Sequence, residues 1–448
     1  MKTSSLIKSA VAPVQVPRHA RGSILGVVLI LLLVFTMIGL GLLSLSSYNG
    51  LAAGKAASDA QAFWTADAGI QRVRALASKN NTVPFENMGL GSLPMTLTGN
   101  TLAGSGTPGA YTVKIISDPA WPSGSVVKKY IITSTGLSQG GVTRVITLRA
   151  ELWTFANYMH ASHFEQTPDG TPIYFASNDV VDGPVYVNGR INIWSTPTFL
   201  QMVRSAASSV NYMNGGTVAV FKGGLGLNAP ALDFQGLNSI DPIASVKGKA
   251  GLALSGNYNL VFASNGTVSY TPAGGGVPQT RNLTSLNGAI YINGNAYVQG
   301  VVNGMTTVAA ENSIYIRSSI TYAGAAGTND PWNSNFKPAN VDDALGLMAR
   351  QRVEVMGAAP VAIHAAIMVT DDAGGSNWGF NTTNKTANIG QPKLSVYGSI
   401  SQYRRGVVGY VSGQGFAKNY KFDSRLTNAP PPWWPYSTYL LTNWYQSK

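Results

Sequence analysis

Three small groups of residues have types and spacings that can do chemistry. His160, His163 and Glu165 would offer two imidazoles and a carboxylate to a metal ion. Their i, i+3 histidine spacing is not that of H-E-x-x-H, which puts both ligands on one helix face. Asp342–Asp343 and Asp371–Asp372 are paired acids, the residue type that glycan-cleaving enzymes use. Adjacent acids serve equally as helix caps and turn formers. Asp371-Asp372-Ala373-Gly374-Gly375 offers oxygens to Ca²⁺, but without EF-hand spacing. The chain has no P-loop, no G-x-S-x-G elbow and no dinucleotide fingerprint. With no cysteine, thiol catalysis, disulfides and cysteine metal sites are excluded. The expectation is a protein with no catalytic residue, no metal and no cofactor.

The elements that would position such groups read mainly as strands. Only 11% of the 448 residues are charged and 50 are glycine, with abundant Tyr, Thr, Asn, Val and Ile. That mix favours a turn-rich β protein. A hydrophobic content of 45% is enough for a packed core and excludes a disordered chain. In residues 80–155, Tyr111–Ile116, Lys129–Thr135 and Val142–Leu152 alternate in polarity, as in a half-solvated antiparallel sheet. In residues 156–428, Gly183-Pro-Val-Tyr-Val-Asn-Gly189 repeats as Gly288-Ala-Ile-Tyr-Ile-Asn-Gly294. Short strands with glycine corners follow it and suggest the coils of an irregular parallel β-helix, with a sandwich as the alternative. Short helices are expected within Thr196–Ser209 and at Val341–Ala349, the latter capped by Asn340 or Asp342. Residues 429–448, rich in proline and aromatics, are expected to fold back and cap the open end of this solenoid.

The N-terminus fixes the compartment. Lys2, Lys8, Arg18 and Arg21 supply a third of the net charge of +12 and precede everything else. From Ser23 to Leu43 the chain is apolar, long enough at about 1.5 Å per residue to cross a hydrocarbon core of about 30 Å. The preceding cations predict a cytoplasmic N-terminus and an exported body. A secretory signal cleaved near Ala52-Ala53-Gly54 and a plain anchor are both compatible with this pattern. Helix should continue to about Ser78, with Ala52, Ala53, Ala56, Ala57, Ala60 and Phe63 as a small-residue stripe and Phe63, Ala66, Ile70, Val73 and Leu76 as an apolar face.

The order of these features resembles the PilX-type type IV pilus assembly proteins. Gly22 sits between basic leader and apolar helix, where a prepilin is cut before Ser23. Thr36 to Gly39 matches a Thr-x-x-Gly near the end of the apolar helix. Ala62-Phe63-Trp64-Thr65-Ala66-Asp67-Ala68-Gly69-Ile70 resembles A-F-x-A-A-E-A-G-L, with Asp67 for the usual Glu. The resemblance covers about residues 18–76. Most pilins carry Glu at the fifth mature position; here that residue is Val27, which argues for an accessory subunit over a filament building block. Segments such as Val181–Ile193, Gly346–Gly357 and Pro430–Pro435 resemble a domain of unknown function often attached to PilX-type N-termini.

The resemblance implies a division into a leader (1–22), a transmembrane and amphipathic helix (23–79), a pilin-like head (80–155), a β-rich domain (156–428) and a tail (429–448), an α+β chain overall. It implies processing at Gly22 and Ser23 and helix packing through Val27, Gly39, Phe63, Asp67, Gly69 and Ile70. The expected partners are a prepilin peptidase, other pilins, the inner-membrane assembly platform and the membrane. The basic body adds DNA or surface glycans. A membrane-anchored β-helix that binds or degrades carbohydrate is the alternative.

Overall fold

The computed structural model describes residues 23–101, 109–121, 126–177, 179–234, 241–338, 342–371 and 378–447. Its first element is one α-helix, Ser23–Lys79, 57 residues long. Alanine is frequent and proline absent, so propensity carries it across the change from apolar to polar sequence. Asn80 ends it, its backbone and side-chain amides both donating to the Leu76 carbonyl at 3.0 and 3.1 Å. The helix is long and apolar enough to cross a membrane. Leu29 is 60% and Phe35 67% exposed, so nothing among the described residues covers this half. From Ala62 onward one face is covered, with Ala62, Ala66, Ile70 and Val73 fully buried.

That face packs on a five-stranded antiparallel sheet. Its order is Met95–Asn100, Ala110–Ser117, Lys128–Leu137, Thr143–Thr154 and Tyr436–Ser447. Burial alternates along Lys128–Leu137, because one face meets the helix and the other meets water. The fifth strand corrects the expectation for the tail. Tyr436–Ser447 does not cap a solenoid; it pairs with Thr143–Thr154 in the head. Tyr436, Tyr439 and Leu441 pack on the head core, and burial of their apolar surface favours this pairing.

Residues 155–435 are therefore inserted between two neighbouring strands of the head. Their main sheet is parallel and runs in the order Leu252–Ser255, Ala289–Asn293, Met305–Ala310, Ala344–Ala349, Val361–Val369, Lys393–Arg404, His160–Phe164, Val185–Val187, Val203–Ser205, Leu225–Gly226. The chain enters this array in its middle, works outward to Leu225–Gly226, then resumes at the opposite end and works back. A second parallel array, Tyr258–Ala263, Ala296–Val302, Ser313–Tyr322, Arg352–Val355 and Gly379–Thr382, lies across the core. The molecule is α+β, one long helix with a large sheet-rich body.

Both expected short helices are strands. Ala344–Ala349 is buried at every position, between parallel neighbours and with side chains inside and outside. Its inner face joins the body core through Leu345 and Leu347, and its outer face meets a second cluster through Met348. A strand buried on both sides loses the alternation that would have identified it. Asn340 and Val341 lie outside the described residues. In Thr196–Ser209 the chain forms strands Thr198–Phe199 and Val203–Ser205. Both copies of the repeated motif fall on the main parallel sheet.

Candidate functional site

The candidate site is the helix and the surface that grips it. Gly22 lies outside the described residues, and Ser23 is the first residue of the helix. Val27 is 53% exposed within the bare apolar half, and Gly39 has no atom within 4 Å of where a Cβ would stand. The alanines at 52, 53, 56, 57 and 60 are all exposed. These residues face outward, where a bilayer or another helix would meet them.

The second half of the helix is locked. At Gly69 an added Cβ would stand 2.8 Å from Val113 Cγ2, and nearer still to Ser134 Oγ. On the sheet, opposite Ala62 and Ala66, an added Cβ at Gly136 would stand 2.9 Å from Ala66 Cα. At Gly136 the sheet thus meets helix backbone, an approach only glycine allows, while Gly69 leaves room for the Ser134 and Val113 side chains. Ser134 Oγ donates to the Ala66 carbonyl at 2.7 Å in a buried setting. Arg144 pairs with Asp59 at 2.8 Å, and Arg72 donates to the Thr98 carbonyl at 2.6 Å. Ile70 is fully buried; Phe63 is half-buried with its ring 5.1 Å from Trp64. Asp67 faces outward and accepts from Gln71 at 3.2 Å, so it braces the helix surface rather than the sheet.

The residues singled out for chemistry are not brought together as a reactive site. His160 and His163 have opposite parity on the strand His160–Phe164 and so leave it on opposite faces. His160 Nε2 lies 2.8 Å from Glu165 Oε1, while His163 stacks on Tyr403 and reaches Asn188 with Nδ1 at 3.0 Å. Glu165 also receives Arg405 at 2.6 Å and a short bond from Ser162 Oγ. Arg405 lies 3.8 Å over the Phe175 ring and donates to the Ile173 and Tyr174 carbonyls. Burial works against the Glu165 charge, but Arg405 and His160 hold its pKa down at about 2. Burial pushes His160 below its ordinary range. Among the described residues no cluster of three or more His, Cys, Asp or Glu has metal-binding geometry.

The paired acids likewise separate. Asp343 Oδ1 and Oδ2 accept from the Gly304 and Gly324 amides at 2.7 and 2.9 Å, which makes it a turn brace. It precedes Ala344–Ala349, whereas Asp371 follows Val361–Val369, the parallel neighbour. Their register places them at opposite ends of the strands, about 25 Å apart at roughly 3.3 Å per residue. Asp372 lies outside the described residues.

Sequence reasoning missed the Glu165–Arg405 pair, which joins residues 240 positions apart. Arg404–Arg405 was visible as an adjacent arginine pair, but only the fold shows that Arg405 is buried while Arg404 lies at the surface over Phe164. Compared with protein-family models, curated proteins and solved structures, the chain matches none.

Proposed function

We propose that this chain is a minor pilin-like or pseudopilin-like structural subunit of a type IV pilus or related filament system. In this reading a prepilin peptidase removes residues 1–22. The helix first holds the subunit in the inner (cytoplasmic) membrane with its N-terminus in the cytoplasm. Other pilins and the assembly platform then receive it through the bare half. The inserted region, read as an irregular parallel β-helix, is displayed outside for assembly, adhesion or contact with DNA or surface glycans. It carries no catalytic role.

One observation supports this reading above the others: the two halves of the helix have different surroundings. The first presents large apolar side chains outward, and the second is locked onto an antiparallel sheet at backbone distance. The insertion lies between adjacent strands, so the helix-and-sheet frame is complete whatever the inserted region does. Val27 leaves the bare half without a carboxylate to pair with a neighbour's amine, which suits a rare or terminal position.

Mass spectrometry of the mature N-terminus tests the proposal. A chain beginning at Ser23 supports it; an intact Met1 or a start near Lys55 overturns it. If DNA is the external partner, its affinity falls steeply with added salt.

A further inference from the structure

A cleft of about 1140 Å³ opens where the head meets the inserted region. Thr82 and Val126 of the head form one wall, and the short helix Pro242–Lys247 contributes to the other. The segment Pro432–Tyr436, which leads into the last head strand, lines it from below. Carbon dominates the surface, through Val126, Ala244, Met305, Pro432 and Trp433, and among the described residues no carboxylate contributes to it. Of its two lysines, Lys128 is held by Glu86 at 3.0 Å. Lys249 is exposed, with its ammonium 5.3 Å from the Trp433 ring centre. It has no ion pair among the described residues.

Backbone geometry is a second, independent observation. Trp433 and Asn287 both adopt left-handed conformations, with φ of 61° and 51°. For asparagine this is ordinary; for tryptophan it is an outlier of the kind concentrated at ligand clamps. The Trp433 indole donates to the Asn287 carbonyl at 2.9 Å, so each unusual residue holds the other. The result is an indole kept 39% exposed at the cleft rather than folded into the adjacent core.

From this combination we propose that the cleft binds a soluble apolar ligand carrying one carboxylate, of the arylalkanoate type. The apolar body would lie along Ala244, Met305 and Pro432 and against the Trp433 ring. Its carboxylate would pair with Lys249, which has no ion pair among the described residues and lies beside the Trp433 ring. The absence of acids from the lining among the described residues suits an anion. Thr82 follows the end of the helix, roughly 50 Å along its axis from the apolar segment at 1.5 Å per residue. The ligand therefore arrives from the aqueous phase and not from the bilayer.

The test uses the full chain in lipid nanodiscs, with empty nanodiscs as blank. 4-Phenylbutyrate and its neutral amide are titrated and followed by saturation-transfer NMR. The carboxylate should bind about ten-fold more tightly than the amide. Lys249→Met should remove that difference. Ala244→Trp, which fills the cleft from an exposed position, should abolish binding of both probes. Trp433→Gly permits the left-handed backbone, so it should weaken binding about ten-fold while the chain still unfolds in a cooperative transition. Equal binding of carboxylate and amide would overturn the proposal. So would binding that survives Ala244→Trp, or no saturable binding above the blank.

Discussion

Replacing Gly136 by alanine tests how the helix is held. The new methyl would stand 2.9 Å from Ala66 Cα and closer to the Ala62 carbonyl and the Ala66 amide. All are backbone atoms of the helix and have no rotamer to move into. Overpacking of this kind costs about 1–3 kcal/mol, and the rigidity of the neighbours puts this case near the top. Against it stands the buried helix face. Ile70 and Val73 contribute about 1.5–3 kcal/mol each and the buried alanines about 0.8 kcal/mol each. The docking term is larger, so the helix should shift without detaching. The expected loss is about 2–3 kcal/mol from the head, roughly 10–15 °C in its melting transition. The assay is thermal melting with hydrogen exchange on the full chain in nanodiscs, where the amides of residues 62–77 should lose protection. Gly50→Ala is the control, because nothing lies within 4 Å of its added methyl. A Gly136→Ala protein with wild-type melting and wild-type protection would refute the close-approach account.

The remaining predictions concern the inserted region and the last strand. Glu165→Gln leaves Arg405 buried beside an uncharged partner and should destabilise the body by about 3–5 kcal/mol, measured by urea unfolding. Adding Arg405→Met should recover part of that loss; no recovery would mean the pair is not the cause. In the wild type, stability should decline as pH falls. His160 is held neutral by burial, so its contribution weakens as pH drops through its ordinary value near 6.5. Glu165 is depressed to about 2, so its contribution is complete above its ordinary value and is lost as pH falls through about 2. Glu165→Gln should flatten the acid limb below pH 4.5 in a pH–stability profile. Truncation before Tyr436 should destabilise the head, because Thr143–Thr154 becomes an open sheet edge. Light scattering should then show association; a monomeric protein with an intact head transition would contradict the pairing. Asp343→Ala should cost about 1–3 kcal/mol by freeing the Gly304 and Gly324 amides, read by body melting.

Local signals made much of the frame legible. The apolar run after Arg21, the absence of proline and the stop at Asn80 define one helix, because these act over a few residues. The spacing of Ala66, Ile70 and Val73 announced the buried face, and alternation announced the head strands. The sequence also suggested short strands for the body, since glycine corners and β-branched runs are local chemistry. Tertiary structure alone decided what those strands meet. Ala344–Ala349 carries a helix-like composition and becomes a strand because neighbours cover both its faces. Tyr436–Ser447 returns to the head, more than 280 residues from its partner Thr143–Thr154, where no local pattern points. Glu165 and Arg405 are a surface-type acid and base until the fold encloses them together. Propensity, periodicity and turn chemistry act along the chain; strand order, burial of charge and the left-handed Trp433 depend on contacts across it.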